Sequence, residues 1–393
     1  MNTSIRRHLM TSDLMEGAAF GAMLGDLQRR GARPATPVVV GWLVTDRCQL
    51  RCRHCWVGDR RTSSLAPAAR RRVAERLATP PLARVCLSGG EVTLLPDLGD
   101  LVATLKAGGR PIAVYTNAIA PLDGPAGDAW LAPWDLEVDY VMVSLDGGDA
   151  ASFDGQRGRG SFAKFVAGVR ALRERDVRLL AHYVASPFNG GDVRRAAALA
   201  GDLGCEAFAA EFVYPRGRAR DLPWPAILAA AQDFNASALR LLDDPTLAEG
   251  PMRLALSFPN VVPGPAGLPR RRPSAAELLV PLTSGQTHAF VTAAGDLVPA
   301  THLRDDPGQR FGSLLEAPLA ELWNLAPLVR RLPQVRDLRA TRCADCEDFA
   351  WCRGGHHYRA EELAGSHDRS DPWCFREPLR EPTDAGPSEG AQP

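Results

Sequence analysis

Three cysteines fall within the eight residues Cys48-Gln49-Leu50-Arg51-Cys52-Arg53-His54-Cys55, directly after the apolar run 38–44. Thiolates bind iron–sulfur clusters, and such clusters usually take four cysteines. Three closely spaced cysteines therefore leave one iron without a protein ligand. An open iron can bind a substrate or a cofactor.

Two other interpretations fit this spacing. Steps of four and three residues would also place the cysteines on one face of a helix, where free cysteine packs as a small buried hydrophobe. The polar residues between them, and the end of the apolar periodicity after Trp56, argue against that. A zinc site would need a fourth ligand, and His54 is too close to its neighbours to supply one with relaxed geometry.

The pattern CxxxCxxC after a first strand resembles the signature of radical S-adenosylmethionine (radical SAM) enzymes. The resemblance implies that Cys48, Cys52 and Cys55 hold a [4Fe-4S] cluster whose fourth iron binds the methionine part of SAM. Reductive cleavage of SAM then yields a 5′-deoxyadenosyl radical that abstracts hydrogen from a substrate. His54 takes the position before the third cysteine, which is usually aromatic in the family, and is a cofactor-binding candidate.

Composition narrows the class of protein. Lys+Arg and Asp+Glu number 46 each in 393 residues, so no basic field points to nucleic acid or to an anionic membrane. The N-terminus shows no signal-peptide pattern, and no run of about 18 apolar residues occurs. We therefore expect a cytoplasmic protein, in which clustered cysteines indicate metal or redox ligands before disulfides.

Six apolar runs rich in Val, Leu and Ile alternate with amphipathic stretches, as buried parallel strands and their crossover helices do. The strands are predicted at 38–44, 84–87, 112–115, 140–145, 177–184 and 207–213, and the helices at 65–78, 97–107, 125–131, 161–174, 191–203 and 225–243. Periodicity fits either an α/β barrel or a doubly wound sheet. The family resemblance implies a partial (β/α)6 TIM-like barrel, with its chemistry at the carboxyl ends of the strands.

Two strand ends carry candidate SAM-binding residues. The turn after the second strand, Gly89-Gly90-Glu91, resembles the family's GGE motif, which binds the SAM amino group. The glycines allow close backbone approach, and a carboxylate can accept hydrogen bonds from an ammonium group. After the fourth strand, the run SLDG and a following loop resemble other members. The resemblance makes Ser144 a ribose candidate and Arg157 a SAM carboxylate candidate.

Candidate substrate-facing residues lie near the ends of the fifth and sixth predicted strands. Glu211 and Tyr183 are polar residues near the carboxyl ends of the fifth and sixth strands, and we expect them to face the substrate as catalytic residues. Either could also be a satisfied structural residue. The lone cysteines Cys86 and Cys205 are predicted to be packing thiols, because buried cysteine is usually inert.

A second cysteine group, Cys343, Cys346, Cys352 and Cys374, supplies four thiolates with aromatic residues around them. Spacing does not separate Zn²⁺ from an iron–sulfur cluster, and composition alone favours zinc. The group resembles the C-terminal module of SPASM-type radical SAM enzymes, which binds an auxiliary [4Fe-4S] cluster. Upstream, 290–299 resembles the module's hairpin, 311–314 its following turn, and 317–323 its helix.

The chain departs from that module in one respect. Many members hold a second, inner auxiliary cluster, and the matching positions here are Leu282, Ala300 and His356. Ala300 has no ligating atom, so we predict that the inner cluster is absent. Thr301 replaces an acidic residue of the sulfatase-maturing members, which argues against formylglycine formation.

The predicted domains are a helical lead-in at 1–35, the barrel at 36–244, a Pro/Gly-rich bridge at 245–281, a SPASM-like domain at 282–376, and a disordered tail at 377–393. The lead-in is too short for an independent peptide-recognition domain.

The leading hypothesis is a radical SAM enzyme that modifies a ribosomally made peptide. The alternatives are an enzyme acting on a small molecule, such as a sugar, a nucleoside or another antibiotic precursor, and a zinc-containing scaffold protein. Expected partners are the precursor peptide or small-molecule substrate, an electron donor such as flavodoxin or ferredoxin, and a separate peptide-recognition protein, with no nucleic acid and no membrane.

Overall fold

A computed structural model describes most of the chain. The described residues are 3–4, 34–58, 64–120, 125–214, 216–248, 250–256, 287–325, 338, 340–341, 343–346, 354, 360, 366 and 368–370. None of the helices among them has the length and apolar character needed to cross a membrane.

The described strands form a single sheet of eleven strands. In chain order they are β1 (Thr3–Ser4), β2 (Val39–Thr45), β3 (Arg84–Gly89), β4 (Ile112–Thr116), β5 (Tyr140–Ser144), β6 (Leu179–Ala185), β7 (Ala207–Phe212), β8 (Arg253–Leu256), β9 (His288–Val291), β10 (Asp296–Val298) and β11 (Gly312–Ser313). Their order in the sheet is β1-β8-β7-β6-β5-β4-β3-β2-β9-β10-β11. Strands β2 to β7 are parallel neighbours in sequence order, which confirms all six predicted strands to within two residues.

Helices lie between the parallel strands. Along the described chain they are α1 (Pro67–Ala78), α2 (Leu98–Ala107), α3 (Pro125–Leu131), α4 (Ala150–Arg157), α5 (Ser161–Arg173), α6 (Val193–Asp202), α7 (Trp224–Leu242), α8 (Pro245–Ala248) and α9 (Leu319–Leu325). Local signals fix several ends: Pro67 opens α1 at its first turn, and the Asp149 side chain accepts from Ser152 N at 2.9 Å to cap α4. The strand–helix repeat is the predicted α/β architecture.

The sheet has two different faces. Alternate strand residues such as Val40, Trp42 and Tyr183 pack with the helices into the main core. The residues between them form a second, smaller cluster that contains no helix residue, and it includes Val39, Met142 and Leu180. Because side chains alternate across a strand, this second cluster marks the inner face of the sheet.

The sheet is strongly curved. Strands β2 and β7 are separated by four strands, which would place them roughly 24 Å apart in a flat sheet. The segment after β7 nevertheless contacts the loop after β2, since Arg218 N donates to Cys55 O at 3.0 Å. The carboxyl ends of the parallel strands therefore surround one space, as expected for the predicted partial barrel.

The C-terminal part extends the same sheet. Strand β9 pairs in parallel with β2, and β9, β10 and β11 form antiparallel pairs. The hairpin expected at 290–299 is therefore present, and α9 overlaps the helix expected at 317–323. Trp323 at the end of this module donates from Nε1 to Pro34 O at 3.0 Å, which ties α9 to the chain just before β2.

Three local expectations differ from the structure. The loop predicted after the fourth strand contains helix α4, so Arg157 is the last residue of a helix. The region assigned to the bridge begins with α8 and β8, and β8 pairs in parallel with β7, so the sheet continues past residue 244. Within the predicted helical lead-in, the described Thr3–Ser4 form the short strand β1.

Candidate active site

The three cysteines of the first group lie on a loop, residues 48–58, here called the cysteine loop. It follows β2 at the carboxyl edge of the sheet. Gly90 N donates to Thr45 O at 2.7 Å and Glu91 N donates to Arg47 O at 2.8 Å, so the turn after β3 is bonded to the residues just before this loop. Cβ atoms at Gly89, which has φ +138°, and at Gly90 would overlap those backbone segments. The two glycines are therefore required because this turn lies close against the end of β2 and the residues that follow it.

The thiols sit among hydrogen-bond donors. Cys48 Sγ accepts from Leu50 N at 3.4 Å and from Asn117 Nδ2 at 3.8 Å, and Arg157 Nη1 lies 4.0 Å from Cys52 Sγ. Burial raises the pKa of Cys48, and it raises the pKa of Cys52 to about 11 despite the opposing effect of Arg157. Iron binding must therefore displace thiol protons at neutral pH.

The arrangement of the thiols fits a polynuclear cluster. Within the described residues, no three His, Cys, Asp or Glu side chains converge as closely as a single metal ion requires. Cys55 is still near enough to contribute to the raised pKa of Cys48 and of Cys52. In a [4Fe-4S] cluster each thiolate binds a different iron, whereas one zinc ion would draw all ligands to within about 2.3 Å of itself.

Asp146 organises the polar groups next to the loop. Its Oδ2 accepts from Arg157 Nε at 2.6 Å and lies 3.4 Å from His54 Nε2, while its Oδ1 accepts from Val184 N at 2.8 Å. Asp146 is completely buried. Although burial acts to raise its pKa, Arg157 and His54 together hold that pKa below its ordinary value, so the carboxylate is ionised.

His54 and Arg157 both face this carboxylate. Burial lowers the pKa of His54 to about 4, so the imidazole is neutral at neutral pH. His54 Nδ1 is buried and has no hydrogen-bond partner among the described residues. A buried polar atom without a partner is costly, and a bound cofactor beside the cysteine loop would satisfy it. Burial lowers the pKa of Arg157, but Asp146 and Cys52 raise it above its ordinary value.

Glu91 is already engaged by the protein. Its Oε1 accepts from Thr93 N at 3.1 Å, Thr93 Oγ1 at 2.7 Å and Thr116 Oγ1 at 2.6 Å, and its Oε2 accepts from Asn117 N at 2.8 Å. The side chain is buried at 1% exposure. These bonds join the turn after β3 to the end of β4 and place Asn117 next to Cys48. The contact with the SAM amino group stays a prediction.

Three polar residues line the inner face near the cysteine loop. Ser144 at the end of β5 is in register with His182 on β6, and His182 Nε2 lies 3.1 Å from Oε1 of Glu211 on β7. Glu211 keeps 46% of its side chain exposed. Burial lowers the pKa of His182, but Glu211 raises it, and the net pKa lies above the ordinary value. The structure thus brings Ser144 and Glu211 together at one edge.

Tyr183 is placed elsewhere. It points to the helix-facing side of the sheet, is fully buried, and packs near Phe208 with ring centroids 6.1 Å apart. Its hydroxyl donates to the carbonyl oxygen of Asn189. The structure therefore separates Tyr183 from the inner face that carries Glu211, because neighbouring strand residues face opposite sides.

The second cysteine group is described in part. Cys343 is buried and Cys346 is half-buried, and Cys346 N donates to Cys343 O at 3.3 Å in a tight turn. Cys352, Cys374, Leu282 and His356 lie outside the described residues. Ala300 is buried at 2% exposure, two residues after the end of β10.

Several residues that shape this site carried no predicted role. Asn117 contacts Cys48, Asp146 anchors Arg157, and His182 pairs with Glu211. Asn117 and Asp146 follow parallel strands and His182 lies in the carboxyl half of β6, and these positions near the strand ends were the signal that could have identified them. The buried lone thiols Cys86 and Cys205 confirm the packing prediction, and burial raises the pKa of Cys205 to about 12.

Comparison with known proteins finds one family model, similar sequences and a similar fold. Residues 42–200 match the family model described as the radical SAM superfamily. The chain is 28% identical over 371 residues to pre-heme d1 synthase of Dinoroseobacter shibae, covering 88% of each chain. It is 25% identical over 367 residues to PqqA peptide cyclase of Gluconobacter oxydans, covering 92% of this chain and 96% of that protein. Its fold is similar to that of Streptococcus suis SuiB in complex with the precursor peptide SuiA, with a TM-score of 0.66 at 14% identity over 91% of this chain and 79% of that one.

Proposed function

We propose that this chain is a radical SAM enzyme of the SPASM type, as its similarity to the radical SAM family model and to PqqA peptide cyclase supports, and that its cysteine loop holds the [4Fe-4S] cluster that activates SAM. When bound, cluster and SAM supply a 5′-deoxyadenosyl radical that abstracts a hydrogen atom from the substrate. The observation that carries the proposal is the position of Cys48, Cys52 and Cys55 on a loop at the carboxyl edge of the barrel, beside polar groups of the inner face.

The protein's own residues bind and orient. Cys48, Cys52 and Cys55 are the iron ligands, which leaves one iron open for SAM. Arg157 is close enough to the loop to present positive charge to SAM's carboxylate, and Asp146 holds the guanidinium in place. His54 Nδ1 is free among the described residues to bond the cofactor.

Other residues complete the SAM pocket and the substrate side. Ser144, at the end of β5, is proposed to bond the ribose. The turn at Gly89, Gly90 and Glu91 fixes the rim of the pocket through its bonds to Thr45 and Arg47, just before the cysteine loop.

Glu211 and His182 are the substrate-facing pair of this proposal. Both lie on the inner face, and Glu211 remains half-exposed at the end of β7. A carboxylate paired with a histidine can accept hydrogen bonds or a proton from a bound substrate. Cys343, Cys346, Cys352 and Cys374 are proposed as ligands of an auxiliary [4Fe-4S] cluster.

A peptide is the substrate class we favour. PqqA peptide cyclase is named for a peptide substrate, and SuiB has been crystallised with its precursor peptide, while this chain shares sequence with the first and fold with the second. A small-molecule substrate is the second candidate, because the chain is also 28% identical to pre-heme d1 synthase. We propose that a low-potential flavodoxin or ferredoxin supplies the electron.

The activity is tested by anaerobic reconstitution of the full chain. We expect about eight irons per chain if both sites hold [4Fe-4S] clusters, and formation of 5′-deoxyadenosine from SAM with dithionite as reductant. Cys48→Ala should abolish this product, whereas Cys86→Ala, the buried lone thiol, should retain it. A reconstituted wild-type chain that holds iron but never converts SAM would refute the proposal.

The substrate class is tested by mass spectrometry. Short peptides encoded next to the gene and an iron porphyrin are each incubated with the reconstituted enzyme, SAM and reductant. A SAM-dependent mass change in a peptide supports the first candidate, and a change confined to the porphyrin supports the second. Glu211→Gln should slow the change in the true substrate while leaving SAM binding intact.

A further inference from the structure

Arg218 binds the cysteine loop at three points. Its backbone N donates to Cys55 O at 3.0 Å, its Nε donates to Cys52 O at 2.9 Å, and its Nη1 donates to Gly58 O at 2.7 Å. The segment that carries it, Gly217–Asp221, follows β7, on the far side of the curved sheet from β2. One side chain therefore bridges the open side of the barrel.

The backbone at this contact is shaped for close approach. Gly217 has φ +57°, and a Cβ there would lie 2.5 Å from Trp56 O. On the other side, a Cβ at Gly58 would be 3.4 Å from the Cα of Gly217. Glycine at both positions lets the two segments meet without a side chain between them, which places Arg218 within reach of the loop carbonyls.

Two of the carbonyls that Arg218 binds belong to the predicted iron ligands Cys52 and Cys55. The cysteine loop contains no helix or strand, so its conformation depends on bonds to other segments. Hydrogen bonds to the carbonyls of these two ligand residues fix their backbone. They therefore also fix the Cα positions from which the thiol side chains extend. A guanidinium suits this task because its donors form a rigid fork, whereas lysine presents a single mobile ammonium.

Resting on the proposed function, we propose that Arg218 is a positioning residue of the radical SAM site: it holds Cys52 and Cys55 in the geometry that binds the [4Fe-4S] cluster. The arginine acts through the loop backbone. Its removal therefore alters the cluster's environment without removing a ligand. Outer contacts of this kind typically change metal affinity or activity by about 10- to 100-fold.

The first test uses the metal-free full-length protein. Arg218→Gln is compared with wild type by amide hydrogen exchange, and Arg220→Gln is the matched control, because Arg220 is an exposed arginine on the same segment. We expect exchange within residues 52–58 to accelerate at least about 10-fold in Arg218→Gln only, since the loop loses its cross-barrel bonds. Unchanged exchange in Arg218→Gln, or equal acceleration in Arg220→Gln, would overturn the proposal.

The second test uses the reconstituted enzyme. Arg218→Gln should cleave SAM about 10- to 100-fold more slowly, with altered electron paramagnetic resonance g values for the reduced cluster. Arg218→Lys keeps the charge and one donor, so it should recover part of the rate and of the spectrum; it also decides the question if the glutamine variant does not fold. Wild-type spectra and rates in both variants would refute the positioning role. A wild-type chain that fails to cleave SAM refutes the proposed function alone, because the exchange experiment does not depend on the cluster.

Discussion

At the scale of the residue, Glu91 shows how a cofactor motif can be built into the fold. Its carboxylate accepts four hydrogen bonds from Thr93, Thr116 and Asn117 while buried. The motif resemblance assigned Glu91 to SAM binding, and that role stays a prediction. The structure adds that its side chain fixes Asn117, which in turn donates to Cys48.

Glu91→Gln should destabilise the metal-free protein. Glutamine replaces one acceptor oxygen by an NH₂ group, which leaves a buried donor facing a donor. We expect a loss of about 1–3 kcal/mol in the free energy of unfolding, measured by urea denaturation. Glu75→Gln, at an exposed ion pair with Arg71, should change it by less than about 0.5 kcal/mol. Equal stability of Glu91→Gln and wild type would show that the four bonds are dispensable.

The His182–Glu211 pair predicts a pH dependence of stability. Burial lowers the pKa of His182, but Glu211 raises it above the ordinary value of about 6.5. A raised folded-state pKa means that the folded protein binds the extra proton more tightly than the unfolded chain. The contribution is therefore complete below the unfolded pKa of about 6.5 and is lost as the pH rises through the higher folded value.

The measurement compares wild type with Glu211→Gln by urea denaturation at several pH values. The stability advantage of wild type should be largest near pH 6 and should shrink toward pH 9. Glu137→Gln, an exposed position, serves as the control and should show no such trend. An advantage that grows with pH would contradict the assignment of this pair.

At the scale of the element, the C-terminal hairpin is joined to the barrel by a buried ion pair. Arg304, just after β10, donates to both oxygens of Asp46 at 2.8 and 2.9 Å, and both side chains are at most 7% exposed. Asp46 lies two residues before Cys48. The same arginine stands 5.6 Å from the Trp56 ring on the cysteine loop, so the hairpin, β2 and the loop share one contact.

Arg304→Gln should leave Asp46 buried without its partner. We expect a loss of about 3–5 kcal/mol in the free energy of unfolding, measured by chemical denaturation. Combining it with Asp46→Asn should recover part of that loss, because no uncompensated charge then remains. Arg310→Gln breaks a half-exposed pair with Asp296 in the same module and should cost less than about 1 kcal/mol. A single-variant loss no larger than that of Arg310→Gln would show that the pair contributes little.

Elements differ in how far their own sequence specified them. The six parallel strands were predictable because each is a mainly apolar run, and each was found within two residues of its expected bounds. Helix α4 was not predictable, because its sequence is short and polar, contains Gly155 and shows little helical periodicity of apolar residues. Strand β8 has only four residues within a region rich in proline. Its pairing with β7, and that of β9 with β2, depends on partners distant in the chain.

At the scale of the whole molecule, the curvature of the sheet brings the separate parts of the site together. The cysteine loop and the GGE turn were predictable from motifs, because the residues of each are adjacent in sequence. The contacts of Arg218 and Arg304 with the loop join residues more than 150 positions apart, so no local pattern could reveal them. Tyr183 was expected at the site and lies on the opposite face, because it alternates along β6 with Leu180 and His182, which face inward.

The two cysteine groups should load iron independently. In the described residues, the turn after β3 holds the segment just before the cysteine loop, Arg218 bonds the loop and Arg304 lies against it, and none of these contacts involves Cys343 or Cys346. We therefore expect the double variant Cys343→Ala/Cys346→Ala to fall from about eight to about four irons per chain and to keep the SAM-dependent change in the spectrum of the remaining cluster. Iron, sulfide and zinc are measured on the same reconstituted sample. A loss of all iron would mean that the groups assemble together, and one zinc in the wild type beside four irons would assign the second group to zinc.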